Sequence, residues 1–298
     1  MKLHLHLGAH RTGTTATQKL LDHHPLLLRA GGVAYLGPDL LRGWGLYETL
    51  HRMAEERAES GQIEGTRDVL SEYFAEAGSA TRIVMSDENL SDSLLQCYQT
   101  ASLYPKAAAN LSALAKLLPV QPDLVCFTIR DFVSFWQSAF AHLISRKRVR
   151  TFDADRLALA SANSWLPALQ GARAAFPKAQ LRIFGYDSTI VRRLTRALVG
   201  EELAASLPEA KRTLGLALGQ DSAAQLKSLP TGAERDRLSL ALRADRDTPD
   251  RTFSVAQAQL LAQAYARDWS ALTAGAVEGA DLDPGQILEL SEGPDWQA

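Results

Sequence analysis

Residues 6–18, HLGAHRTGTTATQ, carry glycines at 8 and 13 with four residues between them. That spacing matches the phosphate loop G-x-x-x-x-G-K-[ST], where backbone N–H groups at a helix start cradle phosphate oxygens. The lysine of that pattern is missing. Thr14 stands in its place, and the nearest cation is Arg11, inside the loop. Gly8 and Gly13 permit close backbone approach, and the Thr12, Thr14 and Thr15 hydroxyls can donate to phosphate oxygens. His10 lies in the same loop. Three readings are open on these residues alone: an ATP or GTP site, a different phosphate site, and a tight turn that binds nothing. The missing lysine weighs against the first.

A second constellation lies far along the chain, in DLVCFTIRDFVSFWQSAF (123–140). An apolar run ends in Arg130 and Asp131, and Ser138 follows eight residues after the arginine. A guanidinium binds phosphate bidentately and a hydroxyl completes the cradle. An arginine at that strand end favours a bare anion over Mg²⁺. The bland alternative for Arg130 is a salt bridge. A third segment, RIVMSDENL (82–90), turns from apolar to polar at Ser86, Asp87 and Glu88. The histidines at 4, 6, 23, 24 and 51 have no third ligand at metal spacing, and no metal is expected.

The elements that must position these residues read as alternating strands and helices. Leu3, Leu5 and Leu7 alternate with His4 and His6 as in a short strand. ATQKLLDHHPLLLRAG reads as one helix, ending near Gly31. Strands are expected at 33–36, 82–90, 123–131 and 181–187. Helices are expected at 45–60, 66–77, 106–118, from Val133 into Lys147, at 163–176 and from Thr189 to Val199. This is the pattern of a parallel sheet with helices on both faces. The last third reads as helical, with an amphipathic stretch at 255–269. Residues 276–298 read as weakly ordered, rich in Gly, Pro and acid. The expected fold class is α/β, a P-loop-like parallel sheet flanked by helices. The expected layout is one domain over 1–298, with an α/β core at 1–210 and a mainly helical extension at 211–298.

The loop's R-T-G-T-T resembles the 5′-phosphosulfate loop of the sulfotransferases that use 3′-phosphoadenosine-5′-phosphosulfate (PAPS), [KR]-x-G-T-T. HLGAHRTGTTATQKLL resembles bacterial members of that superfamily in particular, in which lysine is commoner than arginine. The resemblance also covers Arg130 and Ser138: in that superfamily an arginine at a strand end and a serine eight residues later bind the 3′-phosphate. LRIFGYDS resembles a later strand of the family, with Asp187 where glutamate is usual. RTLGLALGQDSAAQL (212–226) resembles a C-terminal segment that approaches the cofactor. The resemblance spans about residues 1–220.

It implies a sulfotransferase with PAPS as co-substrate and no metal. His10, Arg11, Thr12, Gly13, Thr14, Thr15, Arg130 and Ser138 would bind the donor, and Arg11 would also serve the leaving group. Glu88 is the first candidate for the general base, with burial expected to raise its pKa. Asp87 and His51 are the alternatives. The acceptor is expected to be a hydroxyl or amine of a carbohydrate, a lipid or another small molecule. A P-loop small-molecule kinase and a non-catalytic nucleotide-binding protein are the rival readings.

Composition agrees with this picture. The chain has 298 residues, 46% hydrophobic and 22% charged, with a net charge of −2. It offers no global electrostatic case for nucleic acid or a membrane surface, so any anion site must be local. Cys97 and Cys126 have no metal spacing, and Cys126, within an apolar strand-like run, reads as a buried reduced thiol. With no signal peptide before the first strand and no apolar run long enough for a bilayer, a cytoplasmic location is expected. Trp136, Phe140 and Trp165 read as core. The basic cluster Arg146, Lys147, Arg148 and Arg150 reads as a solvated face or a grip on an anion.

Overall fold

The computed structural model describes residues 1–146, 149–150, 153–210, 225–230, 232–244 and 252–285. In chain order the elements are β1 (Lys2–His6), α1 (Thr14–Asp22), α2 (Pro25–Ala30), β2 (Val33–Leu36), α3 (Pro38–Gly43), α4 (Leu46–Ala54), α5 (Ser60–Glu76) and β3 (Arg82–Ser86). A 3-10 turn (Glu88–Leu90), α6 (Leu94–Thr100), α7 (Ala107–Leu117), β4 (Leu124–Ile129), α8 (Phe132–Arg146), α9 (Ala154–Ser161), α10 (Leu166–Ala175) and β5 (Gln180–Gly185) follow. Then come α11 (Ile190–Val199), α12 (Glu201–Ser206), α13 (Ala233–Ala244), α14 (Val255–Thr273) and β6 (Ala280–Asp283).

The strands form one sheet in the order β2-β3-β1-β4-β5-β6, and every neighbouring pair is parallel. The chain runs from β1 to the edge strand β2, returns as β3 between the two, then crosses to β4 on the other side of β1. At such a reversal the loops leaving the carboxyl ends of adjacent strands diverge and open a crevice. Residues 7–13 leave β1 at that point, between the ends of β3 and β4.

Both faces of the sheet are covered, which explains the near-continuous apolar strands. Leu3, Leu5, Val125, Phe127 and Ile129 pack into one core with Leu111, Phe135, Trp136 and Trp165. Cys126, Leu124 and Val84 face the other way, against Leu21, Ile190, Leu194 and Leu198. Trp136, Phe140 and Trp165 are fully buried and Cys126 is a buried thiol, as expected, and Cys97 is buried as well.

Several sequence expectations change. The strand expected over 82–90 ends at Ser86, and Asp87 caps a 3-10 turn at Glu88–Leu90 instead. The single helix over residues 16–31 is two, because the pyrrolidine ring of Pro25 disfavours helical backbone at His24 and starts α2 instead. The stretch from 276 is not uniformly weak, since residues 280–283 form the edge strand β6. Its acids face arginines across the register: Arg182 lies 3.4 Å from both Asp281 and Asp283, and Arg193 Nη1 donates to Asp283 Oδ1 at 2.6 Å. Residues read as a solvated acidic tail are therefore held by charge pairs. Residues 286–298 and most of 212–226 lie outside the described residues. Among the described residues, no helix is long and apolar enough to cross a membrane.

Candidate active site

The loop after β1 is tied to β4 by its backbone. Leu7 N–H donates to the carbonyl of Cys126 and Ala9 N–H to that of Thr128, while Thr128 N–H returns a bond to Gly8 O. Gly8 has φ +108°, and a Cβ there would sit 3.0 Å from Glu88 Cβ. Only glycine brings the β1 loop this close to the end of β3. Gly13 has φ +86° and caps α1 with no side-chain hydrogen bond, so the first N–H groups of that helix face outward. Arg11 also sits at positive φ, 64°, which costs an L-residue about 1 kcal/mol and turns its side chain away from α1.

That side chain reaches α8. Arg11 Nε donates to Ser138 Oγ at 2.9 Å, and its Nη1 lies 3.4 Å from His142 Nδ1. Arg130 closes the other side. Its Nη1 donates to the Arg11 carbonyl at 2.5 Å, its Nε to Ser134 Oγ at 2.7 Å, and its guanidinium lies 4.3 Å from the centroid of the Tyr186 ring. Trp165 Nε1 donates to the Arg130 carbonyl at 3.0 Å, so a core residue fixes the strand end. Asp131 caps α8 by accepting from Ser134 N–H at 2.8 Å, and Ser134 Oγ donates to the same carboxylate. Arg11, over a hundred residues away in sequence, thus shares one hydrogen-bonded cluster with Arg130 and Ser138.

The threonines divide. Thr12 Oγ1 donates to Ala9 O at 2.6 Å and is fully buried, so its hydroxyl braces the loop. Thr14 is buried at the helix start, and Thr15 is exposed.

The carboxylates at the end of β3 lie in a closed network. Glu88 Oε2 accepts from Gln18 Nε2 at 2.8 Å, and Oε1 lies 3.5 Å from His10 Nδ1. His10 Nε2 meets the Asp92 carbonyl at 2.9 Å, its N–H donates to Tyr104 OH at 2.5 Å, and the two rings stack. The pKa of Glu88 departs from expectation. Burial pushes it up, but the hydrogen bond and field of His10, a backbone amide and the Gln18 bond together lower it to about 2. Asp87 moves the other way: burial and the adjacent Glu88 charge raise it, against the bonds it accepts. Its side chain is wholly enclosed and accepts from Asn89 N–H and Nδ2 and from Arg42 Nε at 3.2 Å. His51 lies half-buried on α4 and is not part of these two hydrogen-bonded clusters.

Sequence reasoning missed Gln18, Ser134, His142, Tyr104 and Tyr186 as members of the site. Ser134 and His142 had a readable signal, since each lies four residues from Ser138 on one helix. Tyr104 has none, being brought to His10 by a loop 94 positions away. Of the basic cluster, Arg146 faces His142, and Arg150 pairs with Asp153 at 2.9 Å on the surface. Lys147 and Arg148 lie outside the described residues. A recess of about 580 Å³ between α2, α12 and Arg82 lies at the amino-terminal end of β3, away from this site, and Glu201 and Glu202 in its wall suit an anion poorly. Among the described residues no group of three side chains could hold a metal ion.

A family model described as the sulfotransferase family matches residues 6–190, more than half of the chain. The chain belongs to the sulfotransferase family. The match runs from the last residue of β1 to the first residue of α11, so it contains both strand ends and the whole of α8. No curated protein and no solved structure matches the chain. Family membership makes it a transferase-type protein of sulfuryl chemistry in general, and the parallel sheet is the P-loop-like architecture expected from the sequence.

Proposed function

We propose that the protein transfers a sulfuryl group from PAPS to a hydroxyl or amine of a carbohydrate, lipid or other small molecule. The observation that carries this is the bonding of Arg11 to both halves of the site: its side chain to Ser138, its carbonyl to Arg130. One nucleotide with an anion at each end fits such a pair of loci. The outward N–H groups at the start of α1, with Gly13, Thr14 and Thr15, take the 5′ end. Arg130 and Ser138 take the 3′-phosphate, and Tyr186 and Ser134 hold the Arg130 guanidinium in orientation.

The donor supplies an activated sulfuryl group on a 5′-phosphate oxygen. A bond forms from the acceptor oxygen or nitrogen to sulfur as the S–O bond to that phosphate breaks, its electron pair staying on the phosphate. Arg11 and the α1 amides stabilise the charge that grows there. The acceptor's proton goes to Glu88. With a pKa near 2 that carboxylate is ionised but weakly basic at rest. The 3.5 Å contact to His10 is its longest, so an acceptor hydroxyl that takes this place at Oε1 removes the main lowering influence. Gln18 keeps Oε2 fixed meanwhile.

Titration of the full chain with adenosine 3′,5′-bisphosphate and with ATP tests the donor. Submillimolar bisphosphate binding that is lost in Arg130→Ala supports the reading, and ATP binding without bisphosphate binding overturns it. Glu88→Gln should keep bisphosphate binding and lose transfer. Unchanged transfer would remove Glu88 from the role of base.

A further inference from the structure

Helix α8 buries most of its surface, yet every fourth residue from Ser134 is polar: Ser134, Ser138, His142 and Arg146. At 3.6 residues per turn this spacing makes one stripe along the helix. Arg130 bonds the first of these residues and Arg11 the second. The stripe then continues past the residues assigned so far. Arg11 Nη1 lies 3.4 Å from His142 Nδ1, and Arg146 Nη1 lies 2.9 Å from Nδ1 and 2.7 Å from Nε2 of the same ring. One imidazole therefore gathers two guanidinium groups, one from the loop and one from the last turn of α8. Two like charges held against one ring repel each other, and an anion placed between them relieves that repulsion.

We propose that His142 and Arg146 extend the phosphate cradle one turn along α8 and set its selectivity for a nucleotide phosphorylated at both ends. Arg146 touches the second phosphate. His142 is a positioning residue whose Nδ1 lies within reach of Arg11 and Arg146, accepts from one of them at a time, and keeps both beside Ser138. This rests on the reading of Arg130 and Ser138 as the anchors of the 3′-phosphate. The occupant is a nucleotide phosphate because Arg11 belongs at once to the β1 loop and to the stripe, so one ligand with an anion at each end meets both. Arg146 is exposed, so its contribution weakens with salt.

The test is calorimetric titration of the full chain with adenosine 3′,5′-bisphosphate and with adenosine 5′-monophosphate at one fixed salt concentration. The ratio of the two affinities measures selectivity for the 3′-phosphate. Arg146→Ala should lower that ratio about 10-fold, by weakening the bisphosphate alone. His142→Leu should lower it by about the same factor, whereas His142→Gln, whose amide oxygen still accepts, should stay within about 3-fold of the native ratio. Thermal unfolding of each variant checks folding, and Arg146→Ala decides the matter if a His142 variant fails to fold. A ratio that survives Arg146→Ala but collapses in Arg130→Ala overturns this inference and leaves the proposed function standing. An equal loss for both ligands in Arg146→Ala also overturns it, as a general charge effect. A native ratio near one overturns the assignment of Arg130 and Ser138, and this inference with it.

Discussion

The two strands that flank β1 end in opposite chemistry. β3 runs into Asp87 and Glu88, and β4 runs into Arg130. The acids are folded inward. Asp87 is wholly enclosed, Glu88 is nearly so, and both are held by amide and side-chain donors. The cations are half-exposed, and Arg130 and Arg11 are oriented by hydroxyls, a carbonyl and an aromatic ring. A buried carboxylate survives only with its bonds complete, whereas a half-solvated guanidinium keeps capacity for a ligand. On the proposed reading, the β3 end couples stability to the placement of the base Glu88, while the β4 end holds the donor. A perturbation on one side should leave the other's property largely intact.

The largest expected effect is on stability, under the β3 side. His6 is buried with Nδ1 on Ser86 Oγ at 2.8 Å, and burial lowers its pKa to about 4, against a small raising influence from Glu88. The unfolded chain therefore binds the extra proton between about pH 6.5 and 4. Stability is full above pH 6.5 and falls with pH across that window, by on the order of 3 kcal/mol. Glu88, also depressed, adds a further fall from about pH 4.5 toward 2. Urea unfolding at pH 7 and pH 4.5 measures the first step, and His6→Asn should shrink it. A pH-independent stability across this range would break the assignment of the β3 side as a closed, charge-sensitive core.

On the β4 side, Arg130→Ala should weaken adenosine 3′,5′-bisphosphate roughly 100-fold, about 2.7 kcal/mol, by calorimetry. Its unfolding free energy should change by less than its binding does. A variant that loses mainly stability would show Arg130 to be a structural group like Asp87.

Gly8→Ala should cost about 2 kcal/mol, from the positive φ and the 3.0 Å approach to Glu88 Cβ together. Gly13→Ala, where a Cβ meets only flexible methyls of Ile190 and Val191 at 3.3 Å, should cost about 1 kcal/mol. Denaturant midpoints of the two variants compare them directly, and the reverse order would place the tighter packing at the helix start. The smallest effect is expected for Thr15→Ala: about a 3-fold loss in bisphosphate affinity with no change in melting temperature.

Much of this contrast was legible before any coordinates. The apolar runs that open the segments 82–90 and 123–131 announce parallel strands, because strands covered on both faces need no alternation. The chemistry at their ends follows immediately in sequence, so Arg130 and Glu88 are readable as strand-end residues. Partnership is not. Gln18 is one turn into α1 with no mark that it faces Glu88. Tyr104 reaches His10 only because α6 and its following loop return to the sheet. The direction of the Glu88 shift depends on those partners, which is why burial alone gave the wrong sign. At β6, acidic residues counted as tail composition turn out to face Arg182 and Arg193, a pairing that depends on register across the sheet.

The central claim is that Arg11, Arg130 and Ser138 serve one doubly charged sulfuryl donor. Transfer of radiolabelled sulfate from PAPS to a panel of hydroxyl and amine acceptors tests it most directly. Labelled product that disappears in both Arg11→Ala and Arg130→Ala is the result predicted. Product formation that persists unchanged in the two variants would contradict the account.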